Sequence, residues 1–271
     1  MDHPKVSLAR ALSKLGYCSR TNAKPLIQAG RVRVNGRVHR DGEARVDLGR
    51  DQIEVDGRLL ASPKKIYLML NKPRGLVTTA SDERGRKTVY DCLAKGGFPW
   101  LSPVGRLDKA SEGLLLFTND TRWAEKVLAP ETHLEKTYHV QVDRFGEGYL
   151  RPQMMNGVTT EEGDFLKAKH LSLLRRGSRH SWLEVVLDEG KNRHIRRLLS
   201  AFRVNVLRLV RVAIGPVQLG NLAKGEYRLL TEREKRSLIK AKTQTKEISP
   251  RSAQRTQRRI RMEMPRKNLN L

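Results

Sequence analysis

Apolar residues recur along this chain with two periods, and the change from one to the other marks its elements. Leu8, Leu12 and Leu15 are spaced four and three apart, which predicts a helix with one apolar stripe, and Gly16 predicts its end. Ser19 is placed to cap a second helix running to Ala29, with Ala23, Leu26 and Ile27 on one face and Gly30 as its stop. Pro25 falls inside that stretch. A proline there removes a hydrogen bond and clashes at about 3 kcal/mol, so the helix is expected to start late or to kink. The pattern then alternates. Val32 and Val34 lead into Asn35-Gly36, a hairpin turn pair, and Ile53 and Val55 repeat the arrangement before Asp56-Gly57.

Beyond residue 62 the apolar runs lengthen. Residues 66–70 predict a strand ended by Lys72-Pro73, residues 75–79 a second strand and residues 113–118 a buried one. Residues 121–128 predict a helix that stops before Pro130, and residues 137–142 alternate as a half-buried strand. Residues 181–187 and 204–210 are further strands. Residues 192–202 predict a helix whose apolar face is Ile195, Leu198, Leu199 and Phe202. Strands are numerous and helices irregularly spaced, so a mixed α+β fold is expected rather than a repeating βαβ one. Thr231 and Glu234 form a capping box for a helix to about Lys242. The chain after it is polar and basic, a composition that disfavours folding. Three parts follow: residues 1–62, 63–230 and 231–271.

Charge points all three parts toward a polyanion, and by itself does not separate an RNA enzyme, a ribosomal protein and a membrane-surface binder. The 271 residues carry 54 Lys and Arg against 29 Asp and Glu, a net charge of +25 that divides as +5, +11 and +9 over the three parts. Surfaces this basic bind phosphate backbones through counterion release. Hydrophobic residues are 38% of the chain, which has no apolar run long enough for a membrane span and no basic-then-apolar leader. Two cysteines, Cys18 and Cys92, cannot build a disulfide framework and suit a reducing cytoplasm. There is no Walker A loop, no G-x-G-x-x-G, no G-x-S-x-G, and the seven histidines have no metal-ligand spacing.

The first part resembles the S4 RNA-binding domain. The matching residues are Leu15-Gly16, Cys18-Ser19-Arg20, Leu26 to Val32, and Val34-Asn35-Gly36. Arg20, Arg31 and Arg33 cluster in this frame and suit phosphate contacts. Tyr17 is the only aromatic among residues 1–62, so this part is expected to read RNA shape and backbone rather than sequence.

The middle part contains 13 of the 14 aromatics and one uninterrupted run, Gly105-Arg106-Leu107-Asp108 followed after two residues by Ser111-Glu112-Gly113-Leu114-Leu115-Leu116-Phe117-Thr118-Asn119-Asp120. On local sequence alone an Asp before a strand is a turn or cap residue. The run resembles the catalytic motif of the Rsu-type rRNA pseudouridine synthases, a group with an N-terminal S4 domain. Lys72-Pro73 with Gly75, Lys136-Thr137-Tyr138, and Glu189 to Arg197 match the same family, with His194 where glutamine is usual. The resemblance implies a mainly antiparallel-sheet synthase domain, an isomerisation that calls for neither a metal nor an organic cofactor, and ribosomal RNA or an assembly intermediate as partner; a monomer is the default expectation. It implies Asp108 as the catalytic carboxylate, Tyr138 packed on the target uracil, and Arg196 in a salt bridge with Asp108. Arg106 would fill the space left by the flipped uridine, while Lys191, Arg193 and Arg197 would hold phosphates. The basic tail would grip ribosomal RNA and points to the large subunit. The competing expectation is a ribosome-associated S4 protein that binds or assembles rRNA without catalysis.

Overall fold

The computed structural model describes residues 5–143 and 147–240, so the expected tail and the expected helix end at Lys242 lie outside the described residues. The N-terminal module holds β1 (Val6–Ser7), α1 (Leu8–Lys14), α2 (Arg20–Gln28), β2 (Val32–Val34), β3 (Arg37–His39), β4 (Arg45–Val46), β5 (Ile53–Val55) and β6 (Arg58–Leu59). Strands β3-β2-β5-β6 make an antiparallel sheet, and β1 pairs with β4. Asn35 and Gly36 take φ +52° and +78°, the two positive values that a two-residue hairpin matching strand twist requires. The Ser19 hydroxyl accepts the Asn22 N–H at 3.0 Å.

The helix after Ser19 does not start late. It begins at Arg20 and continues through Pro25. Pro25 and Thr21, whose carbonyl loses its helical donor, are both exposed, so water replaces the missing bond. Leu8, Leu12, Ala23, Ile27, Val32 and Val55 close one core under the sheet. The Trp100 N–H donates to the Gly16 carbonyl at 2.7 Å, tying the end of α1 to the second module.

The second module comprises β7 (Tyr67–Lys72), β8 (Ser102–Val104), β9 (Glu112–Thr118), α3 (Thr121–Leu128), β10 (Lys136–Val142), α4 (Glu147–Asn156), β11 (Val158–Thr159), β12 (Phe165–Leu166), β13 (His170–Arg176), β14 (Ser181–Leu187), α5 (His194–Ala201), β15 (Val206–Ile214), β16 (Val217–Gln218), β17 (Tyr227–Leu229) and α6 (Glu232–Lys240). Nine of these strands form one sheet in the order β13-β14-β10-β15-β9-β7-β17, with β16 added to β15 and β8 to β9. All its pairings are antiparallel except β15 with β9. The architecture is the expected α+β arrangement.

Strand β9 is buried at every residue because both faces of the sheet are covered there. Leu114 and Leu116 pack with Trp123 and Val127 on one face, and Leu115 and Phe117 with Leu93 and Leu101 on the other. That is the period-2 division of a continuous apolar run. Gly113 has φ +101°, and a Cβ on it would lie 2.2 Å from the Arg211 carbonyl oxygen, so no larger residue lets β9 approach β15. The α6 capping box closes in both directions, Glu234 N–H to Thr231 Oγ1 at 3.2 Å and Thr231 N–H to Glu234 Oε2 at 2.8 Å.

Two expected strands differ. Residues 75–79 form a loop with a single bridge, Val77 to Thr88, because the Gly75 N–H and the Thr78 hydroxyl bind the loop before β9 instead of a sheet ladder. The strand expected over 204–210 begins at Val206 and continues to Ile214. Arg211 does not stop it, since its Nε donates to the Leu114 carbonyl at 2.8 Å.

Candidate active site

The loop of residues 105–111 joins β8 to β9, and its carbonyls are held at five consecutive positions. Thr78 Oγ1 donates to Leu107 O at 2.7 Å, Lys72 Nζ to Asp108 O at 3.1 Å and to Ser111 O at 2.8 Å. The Gly75 N–H donates to Lys109 O at 2.8 Å, and Arg196 Nη2 to Ala110 O at 3.3 Å. The third Lys72 proton goes to Pro73 O at 3.1 Å, so one wholly buried ammonium satisfies three carbonyls. Burial pushes this ammonium down to about 8, against the pull of Glu112 and Asp108 in the other direction. The Asp108 carboxylate itself is half-buried and accepts no hydrogen bond from a described residue. The backbone is therefore fixed while the carboxylate stays available to a ligand.

Asp108 faces a cleft of about 800 Å³. Arg106 comes from the same loop, Lys136 and Tyr138 from β10, Arg211 from β15, and Lys191, Arg193, His194 and Arg196 from the start of α5 and the turn before it. A register shift between Thr137 and Tyr138 against β15 re-aims the tyrosine, which is half-buried between two parts of the core. Six Lys and Arg side chains line the cleft against three carboxylates, Asp108, Asp188 and Glu189, so it favours anions. Arg106 also lines a second depression of about 430 Å³, with Thr78, Arg84 and Lys109, and so stands on the ridge between the two.

The implied Arg196–Asp108 salt bridge is not formed. The Arg196 guanidinium is held by the Val206 and Ala110 carbonyls, both at 3.3 Å, and its Nε is buried without a partner. Burial and Arg193 lower its pKa while Asp108 raises it, so the carboxylate acts on it through space. His194 is buried, with Nε2 3.0 Å from the Lys167 carbonyl and Nδ1 unpartnered. Burial lowers its pKa below the ordinary 6.5, leaving it neutral at pH 7, with Nε2–H as the donor to that carbonyl.

Several of the expected phosphate ligands hold protein partners instead. Arg197 Nη2 binds Thr160 Oγ1, Glu162 and Asp164 at 2.9, 2.9 and 2.7 Å, pinning the β11–β12 hairpin to α5. Lys191 Nζ donates to the Phe165 carbonyl at 2.7 Å, and Arg31 makes a two-bond pair with Asp56 at 2.9 and 2.6 Å. Arg20, Arg33, Arg106 and Arg193 have no such partner among the described residues. Arg197→Ala is accordingly expected to speed hydrogen exchange across residues 158–166 and to leave the salt dependence of RNA binding unchanged. A phosphate ligand would reduce the log–log slope by about one.

Residues 66–201 match the family described as RNA pseudouridylate synthase, and residues 6–65 match the S4 domain. An uncharacterized RNA pseudouridine synthase of Rickettsia typhi is 38% identical over 237 residues, 87% of this chain and 96% of that protein. The chain belongs to the RNA pseudouridylate synthase family. The protein named ribosomal large subunit pseudouridine synthase B, from Bacillus subtilis, is 36% identical to this synthase over 85% of this chain and 94% of its own. A crystal structure of a pseudouridylate synthase superposes with a TM-score of 0.59 at 29% identity, over 86% of this chain and all of that one. The synthase is an isomerase with an S4 module at its N-terminal end.

Lys72 and Gly75, which the sequence marks only as part of a motif, are braces of the Asp108 loop. Thr78 and Arg211 also belong to the site, although no expectation from the sequence includes them. Glu112 is buried and bound by Arg208 at 2.7 and 2.9 Å and by Lys224 at 2.9 Å, partners that the motif alone does not reveal. Burial alone raises the pKa of the Glu112 carboxyl, but these bonds outweigh it and hold it below the ordinary value. Lys72, Gly75 and Glu112 fall inside matched motifs, whereas Thr78 and Arg211 lie outside them and carry no signal in the sequence.

Proposed function

We propose that this synthase isomerises one uridine of ribosomal RNA to pseudouridine, with Asp108 as the reacting carboxylate. The observation that carries the reading is the unpaired Asp108 carboxylate, on a backbone held at five successive carbonyls, facing Tyr138 and Arg196 across a cationic cleft. The N1–C1′ bond of the uridine breaks, the uracil turns, and a C5–C1′ bond forms. The C5 proton departs and N1 gains one, so atoms and charge balance without a redox partner. Asp108 acts at the sugar carbon as nucleophile or base, and Tyr138 lies on the face of the uracil with its hydroxyl near the C5 proton. Arg196 is a cation within Coulombic reach of Asp108, whose charge acts on the guanidinium through space. Arg106, on its ridge, occupies the stack vacated by the flipped base. Arg20 and Arg33 of the S4 module and Arg193 beside the cleft hold the backbone.

Large-subunit RNA is the favoured substrate, supported by the similarity to a large-subunit enzyme and by the net +9 of residues 231–271. A cytoplasmic monomer completes the reading. Cys18 and Cys92 are free, and burial pushes both thiols up, so neither serves as a nucleophile. The test is incubation with unmodified transcripts of both subunits' RNA followed by mapping of pseudouridine. One modified position in the large-subunit RNA is expected, and none in either RNA would reject the proposal.

A further inference from the structure

The cleft contains a pair of cations that the uridine chemistry above does not use. Lys136 opens β10 and Arg211 lies within β15, the strand next to it. Both side chains line the cleft. Arg211 is only 6% exposed, and while its Nε is bound to the Leu114 carbonyl, its Nη2 is buried with no partner. Lys136 is half-buried and makes no hydrogen bond or ion pair among the described residues. The carboxylates nearby are occupied or distant. Glu135, next in the chain, is taken by Lys169 at 2.8 Å, and Asp188 acts on Lys136 only through space.

Two like charges held together away from water destabilise a fold unless an anion joins them. Burial first, and then Arg211, push the Lys136 ammonium below its ordinary value, with Asp188 opposing. Among the described residues, no protein anion closes this arrangement.

We propose that Lys136 and Arg211 form an anion subsite that binds one phosphodiester of the RNA strand carrying the target uridine. Lys136 is the direct donor to a non-bridging oxygen. Arg211 supplies a second positive charge from the floor of the cleft, fixed there by the Leu114 carbonyl. The subsite rests on the reading of the cleft as the uridine site and adds to it a reason for productive register. A phosphate seated opposite Asp108 fixes where the flipped nucleotide comes to rest, because contacts to the backbone position a nucleic acid without reading its bases.

The test uses the full chain and the variants Lys136→Met and Lys136→Arg, with inorganic phosphate as the first probe. In chloride, Lys136→Met is expected to melt higher than the wild type, since it removes a partly buried, unpaired charge. Replacing chloride by phosphate at constant ionic strength raises the melting temperature of the wild type, and this rise is smaller in Lys136→Met and restored in Lys136→Arg. With ribosomal RNA, Lys136→Met raises KM by about tenfold or more with little change in kcat, the signature of a ground-state contact. A Lys136→Met protein that melts lower than the wild type in chloride and keeps the full phosphate response marks Lys136 as a structural lysine and overturns the subsite, as does an unchanged KM. Absence of pseudouridine with the wild-type enzyme would instead reject the uridine reading, and the phosphate-dependent melting would still decide the subsite.

Discussion

Asp108→Asn is expected to lower pseudouridine formation by about 10²–10⁴-fold or more while changing affinity for ribosomal RNA by less than about threefold. The loop that carries Asp108 is held by its backbone. Thr78, Lys72, Gly75 and Arg196 bind its carbonyls, and none of them binds the Asp108 side chain. An isosteric amide therefore removes no hydrogen bond that positions the backbone. The substitution also takes one negative charge from a cleft with a cationic excess, which leaves attraction for a polyanion intact. What it removes is the charge and basicity at the sugar. The measurement is single-turnover pseudouridine formation beside filter binding of the same transcript. Turnover near the wild-type rate would exclude Asp108 from the chemistry, and an equal loss in binding would make it a binding residue.

This separation between a braced backbone and a free side chain also explains how far the sequence was legible. The helices led by Ser19 and Thr231 and the hairpin at Asn35-Gly36 were readable because each rests on a local rule of capping or turn geometry. Strand β9 was readable because burial on both faces leaves an unbroken apolar run. Residues 75–79 have the β-branched composition of a strand in Val77, Thr78 and Thr79, while the hydrogen bonds that make them a loop go to a segment about thirty residues away. Strand β15 runs on past Val210 because Arg211 is satisfied by the Leu114 carbonyl, a partner that nothing local in the sequence shows. Helix α4, with Pro152 inside it, and strand β13 carry too weak a periodicity to be predicted. Asp108, Tyr138 and Arg196 were found by resemblance alone, and their convergence on one cleft depends on pairings between strands distant in sequence. The carbonyls of Val206 and Ala110 that take up Arg196 leave no mark in the sequence pattern, and in the structure they stand in place of the implied ion pair.

The second large effect is expected at Lys72, which touches no substrate. Its folded pKa, about 8, lies below the ordinary 10.5. The sign follows from proton counting: between those values the unfolded chain binds more protons, so the charged lysine penalises the fold fully below about pH 8, and the penalty fades as pH rises to 10.5. Two and a half units correspond to about 3 kcal/mol against the folded state. The three carbonyl bonds work the other way, at about 1.5–3 kcal/mol each for a charged donor, and win. Lys72→Met removes the penalty but leaves the carbonyls of Pro73, Asp108 and Ser111 without their donor. A net loss of about 2–4 kcal/mol is expected, read as a lower denaturation midpoint. The loss of turnover is expected to exceed the loss of stability. The freed carbonyls seek water, the Asp108 loop shifts, and a displacement of about 1 Å at a reacting group is enough for about 10²-fold. Turnover measured where the variant is still fully folded separates the two effects. A folded Lys72→Met enzyme with wild-type turnover would show that Thr78, Gly75 and Arg196 hold the loop without it.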